Sequence, residues 1–213
     1  MYLFFLFAAA TLLISRLAEP VMCRYHRQAL LINGQEALPW SHTKRKWALF
    51  FVLFPCYYIS YALIPDLWVF LSAGVFITLM VFISIMDWEQ QIILDSVLFF
   101  PLLFALLCPA VFSASFLDRL WAAVAGGGTM LLLAVLTKGG IGGGDIKLIF
   151  VLGLSLGMDG LLLTLAAGFL SGGLVAALLL LCRVKKLKDT IAYGPYFALW
   201  AIIAFVLQKS AAL

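Results

Sequence analysis

Asp145 closes the run Lys138-Gly139-Gly140-Ile141-Gly142-Gly143-Gly144, in which five glycines surround one isoleucine between two strongly apolar segments. Each glycine costs roughly 1 kcal/mol against alanine in a helix interior, so the run does not favour ordinary helix. It does let another backbone approach closely, since no Cβ stands in the way. A second carboxylate, Asp87, ends another apolar segment and opens Asp87-Trp88-Glu89-Gln90-Gln91-Ile92-Ile93-Leu94-Asp95. Asp95 precedes Ser96 and the next apolar segment, where an acid suits a helix start. Asp87 stands at a helix end, where a negative charge opposes the dipole. An ionisable side chain at a membrane boundary with no such structural role is a functional-site candidate.

Two acids brought to one place can share a task. Like charges a few ångströms apart cannot both ionise, so one carboxyl keeps its proton while the other is basic. The basic member activates a water; the acidic member polarises a carbonyl and later protonates a leaving amine. Such a pair titrates as a unit. The glycines would admit an extended peptide backbone, with Gly142 and Gly144 as the active-site loop positions before Asp145. No Ser, Cys or His array competes for the role, and no H-E-x-x-H is present. The alternative is a proton-coupled transporter with Asp87 and Asp145 as its relay. Such transporters often show repeated halves, and none is visible in this chain.

The elements that must hold these residues follow from composition. Of 213 residues, 65% are hydrophobic and only 11% charged. Soluble domains are nearer half and a quarter, so the expectation is an all-α, polytopic membrane protein forming one domain over 1–213. Apolar runs predict eight spans, at about 2–18, 47–65, 68–86, 96–113, 119–137, 146–158, 160–181 and 191–208. The sixth is short and can join the seventh as a kinked pair around Gly157-Met158-Asp159-Gly160. Glu19-Pro20 is expected to break the first helix, leaving residues 19–46 as the longest soluble loop.

Placing that loop in the cytoplasm puts Arg16, Arg24, Arg27, Lys44, Arg45, Lys46, Lys138, Lys147, Arg183, Lys185, Lys186 and Lys188 inside. Of the 14 basic residues, only Arg119 and Lys209 then fall outside. Spans four and five separate Asp87 from Asp145, so both lie at the cytoplasmic boundary. Lys44 to Lys46 read as orientation signals, and Arg183 to Lys188 as a basic loop meeting anionic lipid. The basic residues form no stripe of the kind nucleic acid requires. Pro101 and Pro109 are expected to bend span four. Gly126-Gly127-Gly128 and Gly172-Gly173 are expected to let helices pack closely. Cys23, Cys56, Cys108 and Cys182 are scattered with no C-x-x-C, so no zinc site is expected. His26 and His42 read as solvated.

The stretch 138–148 resembles the G-x-G-D signature of the type IV prepilin peptidases, membrane-embedded aspartic proteases. Asp87 to Asp95 resembles that family's other acidic segment, with Leu94 in place of its usual proline. Ala192-Tyr193-Gly194-Pro195-Tyr196-Phe197-Ala198-Leu199 resembles its Phe-Gly-Pro box. The resemblance, which runs from about Asp87 to the C-terminus, implies a helical bundle of the GxGD aspartyl protease type. It makes Asp87 and Asp145 the catalytic pair, Lys147 a near neighbour and Asp95 a supporting acid. It implies cleavage of the short basic leader of prepilins or pseudopilins at the cytoplasmic face of the bacterial inner membrane, typically after a glycine. Many members also methylate the new N-terminus with S-adenosylmethionine, an activity tied to a loop whose four cysteines hold zinc. Residues 19–46 occupy that place without the cysteines, although Leu38-Pro39-Trp40-Ser41-His42 is similar to the stretch before them and Glu36 stands nearby. Proteolysis is therefore expected to need no cofactor, and S-adenosylmethionine enters only if methylation is retained. A non-catalytic assembly partner of a secretion machine is the third reading.

Overall fold

The computed structural model describes residues 2–33, 42–108, 112, 114–184 and 191–211. Among these, regular structure is helical throughout. The helices are α1 (Tyr2–Asn33), α2 (His42–Leu63), α3 (Leu67–Gln90), α4 (Asp95–Leu107), α5 (Phe116–Leu136), α6 (Gly143–Leu181) and α7 (Gly194–Ala211). Four stretches are long and apolar enough to cross a membrane: Lys44–Leu63, Leu67–Gln90, Phe116–Leu136 and Gly143–Leu181. The chain is thus an all-α, multi-pass membrane protein. By that measure the described helices do not reach the eight expected spans; α4, with 13 residues, is one of the short ones.

Most of the shortfall at α6 is a matter of shape. A continuous helix of 39 residues would be about 58 Å long, close to twice the hydrocarbon thickness. Instead, Gly157 breaks it with φ 71° and ψ −174°, a conformation open to glycine. The chain then folds back. Gly126 of α5 lies against both Ile149 and Leu161, one from each arm. The Met158 N–H donates to Asp118 Oδ2 at 3.0 Å, so a carboxylate from α5 caps the returning arm. The two segments expected at 146–158 and 160–181 are therefore the arms of a reversal, 143–156 and 158–181, and not one kinked helix.

The buried Arg119 fastens this end. Its Nε donates to the Leu154 carbonyl at 2.5 Å, another guanidinium nitrogen donates to the Ala105 carbonyl, and its charge sits 4.6 Å above the Phe112 ring. Arg119, expected on the outer side of the membrane, is thus buried within the bundle, joining α4, α5 and α6. Around it, Phe76 of α3 stacks on Phe205 of α7 at 4.8 Å, with Phe112 edge-on to both. Gly153 meets the backbone at Ala122 and Ala123, and Gly168 receives the Phe197 ring. Gly126, Gly127 and Gly172 are packing glycines as expected, whereas Gly128 and Gly173 face open space.

Two expectations near the N-terminus are corrected. Helix α1 runs through Glu19-Pro20 to Asn33, and α2 resumes at His42. The proposed loop 19–46 is largely helix, because one proline removes a single N–H while the residues flanking Pro20 sustain the turn. Residues 34–41, with Glu36 and Leu38 to Ser41, lie outside the described residues, as do Pro109 and Lys185, Lys186 and Lys188. Pro101 is buried inside α4.

Candidate active site

Asp87 sits in the last turn of α3, 4% exposed. Its neighbour Gln91 takes left-handed backbone (φ 54°), and the Gln91 N–H closes the helix on the Asp87 carbonyl at 2.7 Å. An acid at a C-terminal helix end needs compensation, and α7 supplies it. The Gly194 N–H donates to Asp87 Oδ2 at 2.9 Å in a buried setting. The carboxylate therefore lies at the N-terminus of α7, where unpaired N–H groups and the positive end of the dipole favour an anion. Only glycine fits at 194, since a Cβ there would lie 2.6 Å from Asp87 Oδ2. Pro195 follows, and its missing N–H is tolerated in a first helical turn.

Asp145 is held by the glycine run. Helix α5 ends with the Gly139 N–H bonded to the Ala134 carbonyl at 2.8 Å and the Lys138 N–H to the Val135 carbonyl at 3.1 Å. This is a Schellman closure, with Lys138 at φ 52° and Gly139 at φ 90°. The chain then crosses Gly140 and Ile141 to Gly142, whose carbonyl accepts from the Asp145 N–H at 3.1 Å and opens α6. Asp145 thus stands three residues into α6, where the helix start favours its charge.

The two carboxylates line one half-open cavity of about 590 Å³, together with Gly139, Gly140, Ile141 and Gly142. Phe169, Tyr193 and Phe197 close its other side. Residues 145 and 169 would be about 36 Å apart on a continuous helix; the reversal at Gly157 is what lets both reach this space. Two carboxyls, one apolar wall and one bare-backbone wall form a place where an extended peptide and a water could meet an acid–base pair.

The other sequence-derived site residues are placed differently. Gly144 packs against Ile93 rather than lining the cavity. Lys147 reaches Asp95, its Nζ at 2.6 and 2.7 Å from the two carboxylate oxygens, in an exposed pair. That pair borders a neighbouring groove between α4, α5 and α6. Asp95 is the first residue of α4, not its cap; Leu94 holds the cap position and offers no side-chain bond. Among the described residues, no group of three or more His, Cys, Asp or Glu side chains could hold a metal ion.

Three residues at the site, Gly194 bonded to Asp87 and Gln91 and Phe169 in the cavity lining, had weaker sequence signals. Gly194 stood in the Gly-Pro box without being assigned to Asp87. Gln91 and Phe169 gave no signal, because one is an ordinary helix-end residue and the other an apolar residue in an apolar helix.

The profile of the Type IV leader peptidase family matches residues 74–208, a stretch that holds Asp87, Asp145 and Gly194. A curated protein of Bacillus subtilis (strain 168), the "Prepilin leader peptidase/N-methyltransferase", is 30% identical over 142 residues, covering 65% of this chain. The match takes in 56% of that protein's own length. No solved structure matches.

Proposed function

The chain belongs to the type IV leader peptidase family, and we propose that it is a membrane-embedded aspartic endopeptidase that cuts the short basic leader from type IV prepilins or pseudopilins. We place the reaction at the cytoplasmic face of the bacterial inner membrane, on the distribution of basic residues. The observation that carries the reading is that Asp87 and Asp145, on separate helices, line one cavity.

In this reading the pair holds one proton between its two carboxyls. The ionised member takes a proton from water as the oxygen attacks the scissile carbonyl. The protonated member supports the developing oxyanion, and a proton then passes to the departing amine as the C–N bond breaks. The bare backbone of Gly139, Gly140 and Gly142 lies along an extended substrate. Gly194 keeps one oxygen of Asp87 occupied, so its second oxygen serves the water. Lys147 and Asp95 tie the starts of α6 and α4 together beside the site.

The name of the Bacillus subtilis protein joins a methyltransferase to the peptidase. Methylation, with its zinc and S-adenosylmethionine, stays outside the reaction proposed for this chain. Its four cysteines, at 23, 56, 108 and 182, include no close pair in sequence, and a structural zinc site needs clustered ligands.

Co-expression with a type IV prepilin, followed by mass spectrometry of the pilin N-terminus, tests the proposal. The wild-type chain is expected to yield a shortened N-terminus. Asp87→Asn and Asp145→Asn proteins, inserted at normal levels, are expected to leave the leader in place. Normal processing by either variant would reject the dyad.

A further inference from the structure

The last turn of α3 carries a second acid. Glu89, two residues past Asp87, accepts both prongs of the Arg45 guanidinium: Nε to Oε1 at 3.0 Å and a terminal nitrogen to Oε2 at 2.8 Å. The two side chains are 2% and 3% exposed. Arg45 lies in the first turn of α2, so the pair joins the start of one helix to the end of the next. From sequence, Arg45 read only as part of an orientation signal, and Glu89 only as one residue of the Asp87–Asp95 stretch.

A buried pair of this kind is costly to form, and apolar side chains of similar volume often serve stability as well or better. What a two-pronged Arg–carboxylate contact adds is direction, because the planar fork fixes angle as well as distance. Helix ends are the turns that fray. Here the final turn is gripped on two sides: Asp87 is bonded to Gly194 of α7, and Glu89 to Arg45 of α2. The Gln91 N–H on the Asp87 carbonyl closes the same turn, and the Arg45 cation offsets the negative end of the α3 dipole.

We infer that Arg45 and Glu89 are positioning residues for Asp87, a buried fork that fixes the turn from which the carboxylate enters the cavity. Neither lines that cavity, so their action passes through the α3 backbone. The inference rests on the peptidase reading for its kinetic consequence only.

The test uses the full-length protein in detergent, with a purified type IV prepilin as substrate. Arg45→Lys keeps the charge and loses the fork; the double variant Arg45→Met with Glu89→Met removes both charges without stranding either. Both are expected to insert and fold. Each should lower kcat about 10- to 100-fold, the scale of a misplacement near 1 Å, while KM changes less than about threefold. Amide exchange at residues 88–91 should quicken in Arg45→Lys. A folded variant of either kind with wild-type kcat would overturn the inference, as would a loss confined to KM, which would mean contact with substrate. Should the wild-type protein fail to cut prepilin, the peptidase reading falls by itself, and the exchange measurement still decides the fork: unchanged exchange at 88–91 in Arg45→Lys rejects it.

Discussion

Replacing Gly194 with alanine is the smallest change that acts directly on the dyad. A Cβ at 194 would stand 2.6 Å from Asp87 Oδ2, 3.0 Å from Cγ and 3.1 Å from Cβ. Ordinary contact begins near 3.4 Å, so the carboxylate must retreat by about 0.8 Å, or α7 must move by the same amount. Rotation of the side chain gives no escape, because the Asp87 Cβ is itself too close and the residue is 4% exposed. The Gly194 N–H bond at 2.9 Å lengthens with the retreat, weakening a contact of the class worth about 1.5–3 kcal/mol. Misplacement near 1 Å costs about 100-fold in rate, so Gly194→Ala is expected to cut prepilin about 10- to 100-fold more slowly at saturating substrate. The assay is a gel-shift time course with purified enzyme and prepilin, after circular dichroism has matched the variant to wild type. A folded Gly194→Ala protein that cuts at the normal rate would refute the assigned contact between α7 and Asp87.

Other consequences follow from the same geometry. Gly157→Ala places an L-residue at φ 71°, a conformation costing about 1–3 kcal/mol, so its thermal midpoint in detergent should fall below that of wild type. The Lys147–Asp95 pair is 56% and 71% exposed on its two sides, and exposed pairs contribute about 0–1 kcal/mol. Lys147→Ala should therefore leave the thermal midpoint nearly unchanged and keep kcat within about tenfold, as a stopped cleavage assay would show. A dyad sharing one proton works in one protonation state of three. Cleavage rate against pH should thus fall on the acid side, where the base is protonated, and on the alkaline side, where the shared proton is lost.

What the sequence disclosed and what it concealed have physical reasons. Asp87 and Asp145 were legible because charge is conspicuous against an apolar chain, and counting crossings put both on one face. The glycine run was legible because five glycines in six positions exceed what a turn needs. In the structure Gly139 takes left-handed backbone and Gly142 caps α6, while Gly143 and Gly144 already belong to that helix. Helix α1 was misjudged at Pro20, since a proline signals a possible break but long-range packing decides whether the helix continues. The break near Gly157 was legible as two apolar segments, 146–158 and 160–181, but a kinked pair stayed open because neither the Gly157 φ nor the Asp118 cap is a local property. Arg45, Glu89 and Arg119 were hidden for a related reason. A basic residue near a span end has the same sequence signature whether it points to lipid headgroups or into a bundle, and only the partner helix tells them apart.

Asp87 and Asp145 must occupy one space for the proposed chemistry, and cross-linking in native membranes tests that most directly. Cysteines are placed at 87 and 145 in a chain with Cys23, Cys56, Cys108 and Cys182 replaced, and membranes are treated with a short bifunctional thiol reagent. The expected result is an internal link that holds the two halves together after proteolytic nicking between positions 87 and 145. Nicked halves that separate freely, although each single cysteine reacts with the reagent, would contradict the shared acid site.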